Sequence, residues 1–250
     1  MLISTQIFAH RGSSGTHPEN TMAAFREAER VGADGIELDV QLSKDGEVVV
    51  IHDEELSRTT NGTGFVKDYT LKQLKKLDAS HTFSGKIEVQ RIPALIEVLE
   101  MFACNQMLLN IELKNSQYLY PGMEEKVISL VKKYKLEDRV IISSFNHYSL
   151  VHCYQLDPGI ETAPLYRDGL FRPWVYAKAI GAKGIHPNIK AAPNFIISAA
   201  MKENIAVRPY TINKEKVMKR LFKINCTSFI TDFPAIAIQV RGELNLSSSK

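Results

Sequence analysis

The chain has 250 residues, of which 44% are hydrophobic and 24% are charged, and its formal net charge is +3. This composition is typical of a globular domain, and the mild positive charge, without a dense Lys/Arg run interleaved with aromatics, argues against nucleic-acid binding. No apolar run reaches the roughly 18 to 20 residues that cross a bilayer, so we expect no stable membrane insertion.

The cysteines and the N-terminus indicate a cytoplasmic protein. Cys104, Cys153 and Cys226 are odd in number and far apart, so we expect reduced thiols rather than disulfides. Residues 1–8 lack the basic start of a signal peptide and predict a strand instead. Nothing in the composition fixes an oligomeric state.

The first half of the chain alternates between strand and helix patterns. Period-two alternation and β-branched residues indicate the strands, and apolar residues spaced by three or four indicate the helices. Pro93 is expected in the first turn of its helix, where a backbone N–H has no partner within the helix and its absence costs no hydrogen bond. We predict strands at 3–9, 35–42, 47–51, 107–113 and 139–143, and helices at 19–31, 93–102 and 124–134.

The second half continues this alternation towards the C-terminus. Asn213 and Asp232 are expected to cap the helices that follow them, because short polar side chains can bind the free N–H groups of a first turn. We predict helices at 146–156, 174–180, 194–204, 213–223 and 234–241, and strands at 160–165, 183–186, 205–210 and 227–231.

About eight β/α units follow from this count. Strands separated by helices form a parallel sheet, and eight units in about 250 residues is the size of a (β/α)8 TIM barrel. A doubly wound sheet is the rival, but the chain has neither G-x-G-x-x-G nor a Walker-type phosphate loop. The stretch 53–90 exceeds an ordinary loop of about 4 to 6 residues and predicts an inserted cap after an early strand. We expect residues 1–250 to form one domain.

Acidic side chains occur at regular spacing on two predicted strands, near the ends where a barrel has its active site. Glu37 and Asp39 are two apart and share one face of a strand, as do Glu112 and Lys114 on a later strand. Three clustered carboxylates stay ionised only if a cation neutralises them. Oxygen ligands favour Mg²⁺, Ca²⁺ or Mn²⁺ over zinc.

Two histidines lie beside these acids in the sequence. His10 ends the first strand and His52 follows the segment 47–51, and an imidazole pair can supply a general base and a general acid. Arg11 and Lys114 add the positive charge that a phosphate needs, although they could instead pair with the carboxylates. Together these groups predict phosphoryl chemistry on a diester.

An ordered set of motifs resembles that of the glycerophosphodiester phosphodiesterase family. The match is dense over about the first 115 residues and thinner beyond them. The motifs are Ala9-His10-Arg11-Gly12, Pro18-Glu19-Asn20-Thr21, Gly35-Ile36-Glu37-Leu38-Asp39-Val40, His52-Asp53 with Arg58-Thr59-Thr60-Asn61-Gly62, Arg91-Ile92-Pro93-Ala94-Leu95, Ile111-Glu112-Leu113-Lys114 and Thr231-Asp232-Phe233-Pro234.

The resemblance implies a TIM barrel with a small cap after the His-Asp motif. It also implies metal-dependent hydrolysis of a small-molecule glycerophosphodiester to glycerol 3-phosphate and an alcohol. The implied roles are metal ligation by Glu37, Asp39 and Glu112, acid/base catalysis by His10 and His52, and phosphate binding by Arg11 and Lys114.

Three further residues are candidates for the substrate pocket. Near the seventh strand, where family members often carry Trp, this chain has Tyr210, which is expected to take that place. His186 is a candidate because it lies at a strand end. Glu19 either contacts substrate or, with Asn20, caps the first helix.

Several alternatives stay open at this point. The same residues could hydrolyse lysophospholipids, which exposed apolar loops at the barrel mouth would favour, or a barrel could bind a ligand without catalysis. Asp53 is expected to support its loop through a local turn. The attacking group is either water or the glycerol hydroxyl of the substrate, and either histidine can be the base.

Overall fold

The computed structural model describes residues 4–247, and Ile3, the predicted start of the first strand, lies outside that range. In the described range the strands are β1 (Gln6–His10), β2 (Gly35–Leu42), β3 (Val48–Val50), β4 (Leu108–Leu113), β5 (Val140–Ser144), β6 (Glu161–Tyr166), β7 (Gly184–Pro187), β8 (Ala206–Val207) and β9 (Ser228–Thr231). The helices are α1 (Met22–Arg30), α2 (Leu71–Leu74), α3 (Leu95–Ala103), α4 (Met123–Lys133), α5 (His147–Leu156), α6 (Pro173–Ala179), α7 (Asn194–Lys202), α8 (Glu215–Lys223) and α9 (Pro234–Ser247).

The strands form a nearly closed parallel barrel in the order β8-β7-β6-β5-β4-β2-β1-β9. At the remaining seam, the N–H of Ile230 donates to the carbonyl of Pro209 at 3.0 Å, and the N–H of Val207 donates to Oγ1 of Thr227 at 3.1 Å. Eight parallel strands within residues 4–247 confirm the predicted (β/α)8 barrel. The C-terminal ends of the strands therefore converge on one mouth.

The short strand predicted at 47–51 forms as β3, but it is not part of the barrel wall. It pairs antiparallel with the end of β2, with Val50 opposite Val40. Strand β2 thus runs past the mouth, and a hairpin returns the chain so that Ile51 donates its N–H to the carbonyl of Asp39 at 3.0 Å. This return brings His52 back to the level of the strand ends.

The segment 53–90 folds over β3 with an apolar core of its own. Leu56, Val66 and Leu74 are buried against Val49 and Ile51. The small helix α2 within it begins at a capping box formed by Thr70 and Gln73, which satisfies backbone groups of its first turn. Local capping and a small core together hold this long insertion in place at one edge of the mouth.

Two predicted helix starts are wrong. Pro93 lies before α3, not in its first turn, because its carbonyl accepts from the N–H of Val50 at 2.8 Å and Ala94 takes the N-cap position. Asn213 does not cap α8, where Lys214 holds the N-cap position. Its side chain instead contacts residues at the end of β9, so a tertiary contact has replaced the local one.

The main apolar core fills the layer between the barrel wall and the helices. Ile36, Leu38 and Val40 of β2 are fully buried there, packed in one cluster with Phe25 of α1 and Leu95 of α3. Burying each such side chain contributes about 1.5–3 kcal/mol. Among residues 4–247, no helix combines the length and the apolar character needed to cross a membrane.

We expect Gly12→Ala to destabilise the protein more than Gly32→Ala. Both glycines have positive φ, 77° and 82°, so either alanine costs about 1–2 kcal/mol of backbone strain. Only at Gly12 would the added Cβ meet the backbone of Ala24, at 2.6 Å, while at Gly32 nothing lies within 4 Å. Overpacking should add about 1–3 kcal/mol for Gly12→Ala. Urea unfolding of both variants tests this, and equal losses would contradict the predicted close packing of this turn against α1.

Candidate active site

Three acidic side chains meet at the mouth of the barrel. Glu37 and Asp39 lie on β2, and the parallel register places Asp39 directly beside Glu112 of β4. One oxygen atom from each carboxylate lies within 4.8 Å of the others. All three residues are almost wholly buried or at the edge of burial, so their charges are poorly hydrated.

Burial dominates the electrostatics of this cluster. It raises the pKa of Glu37 to about 8, helped by the charge of Asp39, and it raises the pKa of Glu112 for the same two reasons. Burial alone would also raise the pKa of Asp39, but the cations around it, Arg11 foremost, hold that pKa at about 2. The cluster therefore lacks the positive charge that would let all three acids ionise.

The donor set fits a hard cation. Oδ1 of Asp39 is buried and has no hydrogen-bond partner among the described residues, although Nζ of Lys114 lies 4.0 Å away. A divalent cation between the carboxylates would give this oxygen a partner and would favour the ionised form of Glu37 and Glu112. Ligation by oxygen alone is the preference of hard ions.

His10 is held at the end of β1 by a carboxylate from the far end of the chain. Its Nδ1 lies 2.6 Å from Oδ1 of Asp232, and its Nε2 lies 4.0 Å from Oε2 of Glu37. Burial would lower the pKa of His10, but the hydrogen bond to Asp232 and the charge of Glu37 outweigh it and raise that pKa. The ring thus donates from Nδ1 and presents Nε2 to the acidic cluster.

The predicted helix-capping role of Asp232 is wrong. Besides His10, its oxygens accept from Oγ of Ser14 at 3.2 Å and from Nδ2 of Asn213 at 2.5 Å. Asp232 directly follows β9, which pairs with β1, so closure of the barrel brings it to the imidazole. The extra donors fix the carboxylate and therefore the orientation of the ring.

His52 has a similar arrangement on the other side of the cluster. Its Nδ1 lies 2.5 Å from Oδ1 of Asp53, and its Nε2 lies 3.1 Å from Nζ of Lys114. A ring that donates from Nδ1 and accepts at Nε2 satisfies both contacts. Asp53 also binds Arg58 of the cap. Its carboxylate therefore contacts both a histidine and an arginine, whereas the sequence predicted only the support of a local turn.

Arg11 and Lys114 are ion-paired and also line the cleft. Nη1 of Arg11 lies 2.7 Å from Oε1 of Glu19, and Nε lies 3.3 Å from Oδ2 of Asp39. Nζ of Lys114 donates to Oε1 of Glu112 at 2.8 Å. Arg11 and Lys114 therefore pair with carboxylates and line the cleft at the same time.

Glu19 and Asn20 contact the site instead of capping α1. Thr21 is the N-cap, with its hydroxyl accepting from the N–H of Ala24. Nδ2 of Asn20 donates to Oδ2 of Asp39 at 2.9 Å. Glu19 binds both Arg11 and Arg58, which joins the loop after β1 to the cap.

The cleft above the carboxylates has a volume of about 210 Å³. Phe145, Leu165, Arg167 and Tyr210 line it together with the two histidines. Tyr210 was expected in the pocket, and its hydroxyl donates to the carbonyl of Tyr166 at 3.1 Å. The lining of the cleft thus combines charged with apolar side chains.

His186 does not line this cleft. It is fully buried, and neither ring nitrogen has a hydrogen-bond partner among residues 4–247. Burial, with the charge of Arg208, lowers the pKa of His186 well below its ordinary value. A position near a strand end was not sufficient to place this side chain in the pocket.

Asp232, the partner of His10, and Arg167, which lines the cleft, were given no role in the site from the sequence. Asp232 follows β9 and Arg167 follows β6, so the strand-end criterion that identified His10 would have found both. The guanidinium of Arg167 lies 5.3 Å from the centre of the Phe145 ring. In the described part of the chain, Arg167 makes no ion pair, unlike Arg11 and Lys114.

Cleavage of a phosphate ester requires groups that move protons beside groups that accommodate added negative charge. Imidazole, carboxylate and cationic side chains suited to both tasks lie together at the mouth of this barrel, an arrangement that fits a phosphodiester hydrolase. The profile of the glycerophosphoryl diester phosphodiesterase family matches residues 10–236, and the chain belongs to this family. The family resemblance of the sequence motifs is thereby confirmed.

Relatives match along nearly the whole chain. A glycerophosphodiester phosphodiesterase of Bacillus altitudinis is 50% identical over 243 residues, covering 96% of this chain and 99% of its own length. One from Caldanaerobacter subterraneus subsp. tengcongensis is 46% identical over 238 residues, covering 95% and 98%. The solved structure of an Oleispira antarctica phosphodiesterase, in complex with the product sn-glycerol-3-phosphate, matches with a TM-score of 0.81 at 30% identity, covering 94% and 96%.

Cation binding should strengthen as pH rises towards and beyond 8. Glu37, whose pKa is raised to about 8, must lose its proton before it can bind a cation. Mg²⁺ added to metal-free protein should therefore stabilise it more at about pH 9 than at about pH 6, by up to about 3 kcal/mol, which is measured as a larger rise in Tm. Glu125→Gln, an exposed acid outside the cluster, should keep this effect, and Asp39→Asn should lose it. Equal shifts at both pH values would contradict the prediction.

Proposed function

We propose that the chain hydrolyses glycerophosphodiesters to glycerol 3-phosphate and an alcohol, using Mg²⁺, Ca²⁺ or Mn²⁺ held by Glu37, Asp39 and Glu112. One observation carries the proposal: His10 and His52 flank the acidic cluster, each with Nδ1 on a carboxylate and Nε2 directed towards it. Family membership supports the substrate class, as does the sn-glycerol-3-phosphate bound to the Oleispira antarctica relative.

The cations of the cleft would hold the phosphate. The bound metal ion would supply a Lewis acid that stabilises negative charge on the phosphoryl oxygens. Arg11 and Lys114 would donate N–H bonds to those oxygens, and their existing pairs with Glu19 and Glu112 keep them in place before substrate arrives. Tyr210, which lines the cleft, would pack against the organic part of the substrate.

The hydrogen-bond partners favour His52 as the base and His10 as the acid. Nε2 of His52 accepts from Lys114, so it is the unprotonated nitrogen of the ring. When Lys114 turns to the phosphate of the substrate, that lone pair would become free for the proton of the attacking hydroxyl, whether water or the glycerol of the substrate. His10 lies between two acidic groups, Asp232 and Glu37, which favour the imidazolium. Its Nε2–H would protonate the leaving alkoxide.

The whole chain would act as one domain, with residues 53–90 forming a wall of the active site. Arg58 of this segment binds Glu19 and Asp53 at the edge of the cleft. The ligand would be a small molecule rather than nucleic acid. The cytoplasmic location stays a prediction from the number and spacing of the cysteines in the sequence.

His10→Ala and His52→Ala should each lower kcat by roughly 10²-fold or more, the usual scale for acid–base groups. Release of glycerol 3-phosphate from glycerophosphocholine, with and without EDTA, measures this. His152→Ala serves as the control, because His152 is exposed on α5 and contacts Glu125 at 2.9 Å, away from the cleft. Near-normal turnover in either test variant would remove that histidine from the mechanism.

Asp232→Asn should lower kcat by roughly 10- to 100-fold with little change in KM, as expected for a partner that orients a catalytic ring. Loss of the carboxylate also removes a contact that raises the pKa of His10. An acid must be protonated to act, so the alkaline limb of the kcat profile should move to lower pH. An unchanged profile in a folded variant would show that Asp232 does not act through His10.

A further inference from the structure

Arg167 differs from the other two cations that line the catalytic cleft. Nη1 of Arg11 lies 2.7 Å from Oε1 of Glu19, and Nζ of Lys114 lies 2.8 Å from Oε1 of Glu112. Arg167 lines the same cleft, but none of the ion pairs within residues 4–247 includes it. In the described part of the chain, its positive charge is therefore not neutralised by a carboxylate contact.

The guanidinium of Arg167 lies over an aromatic ring. Its central carbon is 5.3 Å from the centre of the Phe145 ring, and the Tyr210 ring packs edge-on against that ring at 6.2 Å. Arg167 is exposed, and a cation–π contact at an exposed site is weaker than a charge-assisted hydrogen bond to a phosphate oxygen. The ring thus keeps the guanidinium beside the cleft, and a phosphate would compete successfully for it.

Arg167 also borders a second space, a recess of about 390 Å³ next to the cleft. His52, Lys114 and Arg167 line both spaces. Glu54 lines the recess as well, but it makes no ion pair with Arg167 within the described range. A guanidinium on this border can contact an anion in the recess and keep that contact as the anion moves to Lys114.

We propose that Arg167 is a third cation for the phosphate of the substrate, which captures the anionic ester in the recess and stays bound to it in the cleft. This inference rests on the proposed function. Arg11 and Lys114 already share their charge with carboxylates, whereas the ester brings negative charge and gains more in the transition state. An unpaired guanidinium supplies the missing positive charge, and its planar fork matches two phosphate oxygens.

The charge of the ligand decides how strongly Arg167 acts. The phosphate of a diester such as glycerophosphocholine carries one negative charge, whereas a phosphate monoester at neutral pH carries about two. Glycerol 3-phosphate should therefore gain more from Arg167 than the diester does. The residue that improves capture of the substrate would also strengthen inhibition by the product.

Arg167→Gln should lower kcat/KM for glycerophosphocholine roughly tenfold, mostly through KM, because a charge-assisted contact to the phosphate is lost. The inhibition constant of glycerol 3-phosphate should rise by a larger factor than KM. Arg167→Lys, which keeps the charge, should restore part of both losses. An unchanged KM in Arg167→Gln, or equal losses in the glutamine and lysine variants, would overturn the proposal.

Arg172→Gln is the matched control. The guanidinium of Arg172 also lies over an aromatic ring, 6.0 Å from the centre of Phe171, but this residue lines neither the cleft nor the recess. The variant should keep the KM of the wild type. If KM rose equally in Arg172→Gln and Arg167→Gln, the net charge of the protein would explain the effect, and the assignment to Arg167 would be wrong.

Salt provides a second readout. Raising the ionic strength from about 0.05 M to about 0.3 M should lower kcat/KM more in the wild type than in Arg167→Gln, because salt screens the attraction of an exposed charge. The same salt dependence in both proteins would contradict capture of the ester by Arg167.

A binding measurement separates this proposal from the proposed function. His10→Ala, saturated with Mg²⁺, is titrated calorimetrically with inorganic phosphate, with and without the additional change Arg167→Gln. A roughly tenfold loss of affinity on adding Arg167→Gln supports the phosphate contact, even if the wild-type protein hydrolyses no glycerophosphodiester. Equal affinities would refute the contact, even if that hydrolysis is observed.

Discussion

The burial of three neighbouring carboxylates is the constraint on which the site depends. Glu37, Asp39 and Glu112 point to one place because parallel strands in register put them there. Their charges cannot be dispersed into water, so the protein surrounds Asp39 with cations and leaves Glu37 with a pKa of about 8. The cluster could therefore hold a metal ion, whose positive charge would let all three carboxylates ionise.

The two histidines reach this cluster by different routes. His10 arrives on a barrel strand, whereas His52 arrives on an antiparallel hairpin that extends β2 and returns. Both rings nevertheless contact a carboxylate through Nδ1 and direct Nε2 inward. Their second neighbours differ, because Nε2 of His10 lies 4.0 Å from a carboxylate oxygen of Glu37, whereas Nε2 of His52 lies 3.1 Å from Nζ of Lys114.

Much of this arrangement was predictable from local sequence patterns. The alternation of strands and helices predicted the barrel, and the two-residue spacing of Glu37 and Asp39 predicted a shared face. The Asp232–His10 contact was not predicted, because it joins residues 222 positions apart and depends on pairing of the last strand with the first. His186 shows the converse limit. A position at a strand end places a residue near the mouth of the barrel. Alternation along the strand then decides whether its side chain points into the cleft or into the packed interior.

The link between Glu19 and Arg58 has a consequence for the evolution of the cap. Residues 53–90 pack around a small core of their own, yet Arg58 of this segment links the loop after β1 to His52 through a series of side-chain contacts. In order, the series consists of Asp39, Arg11, Glu19, Arg58, Asp53 and His52. Trimming or replacing the insertion would remove Arg58 from this series and leave Asp53 and His52 without its support, so the cap and the residues around His52 must change together.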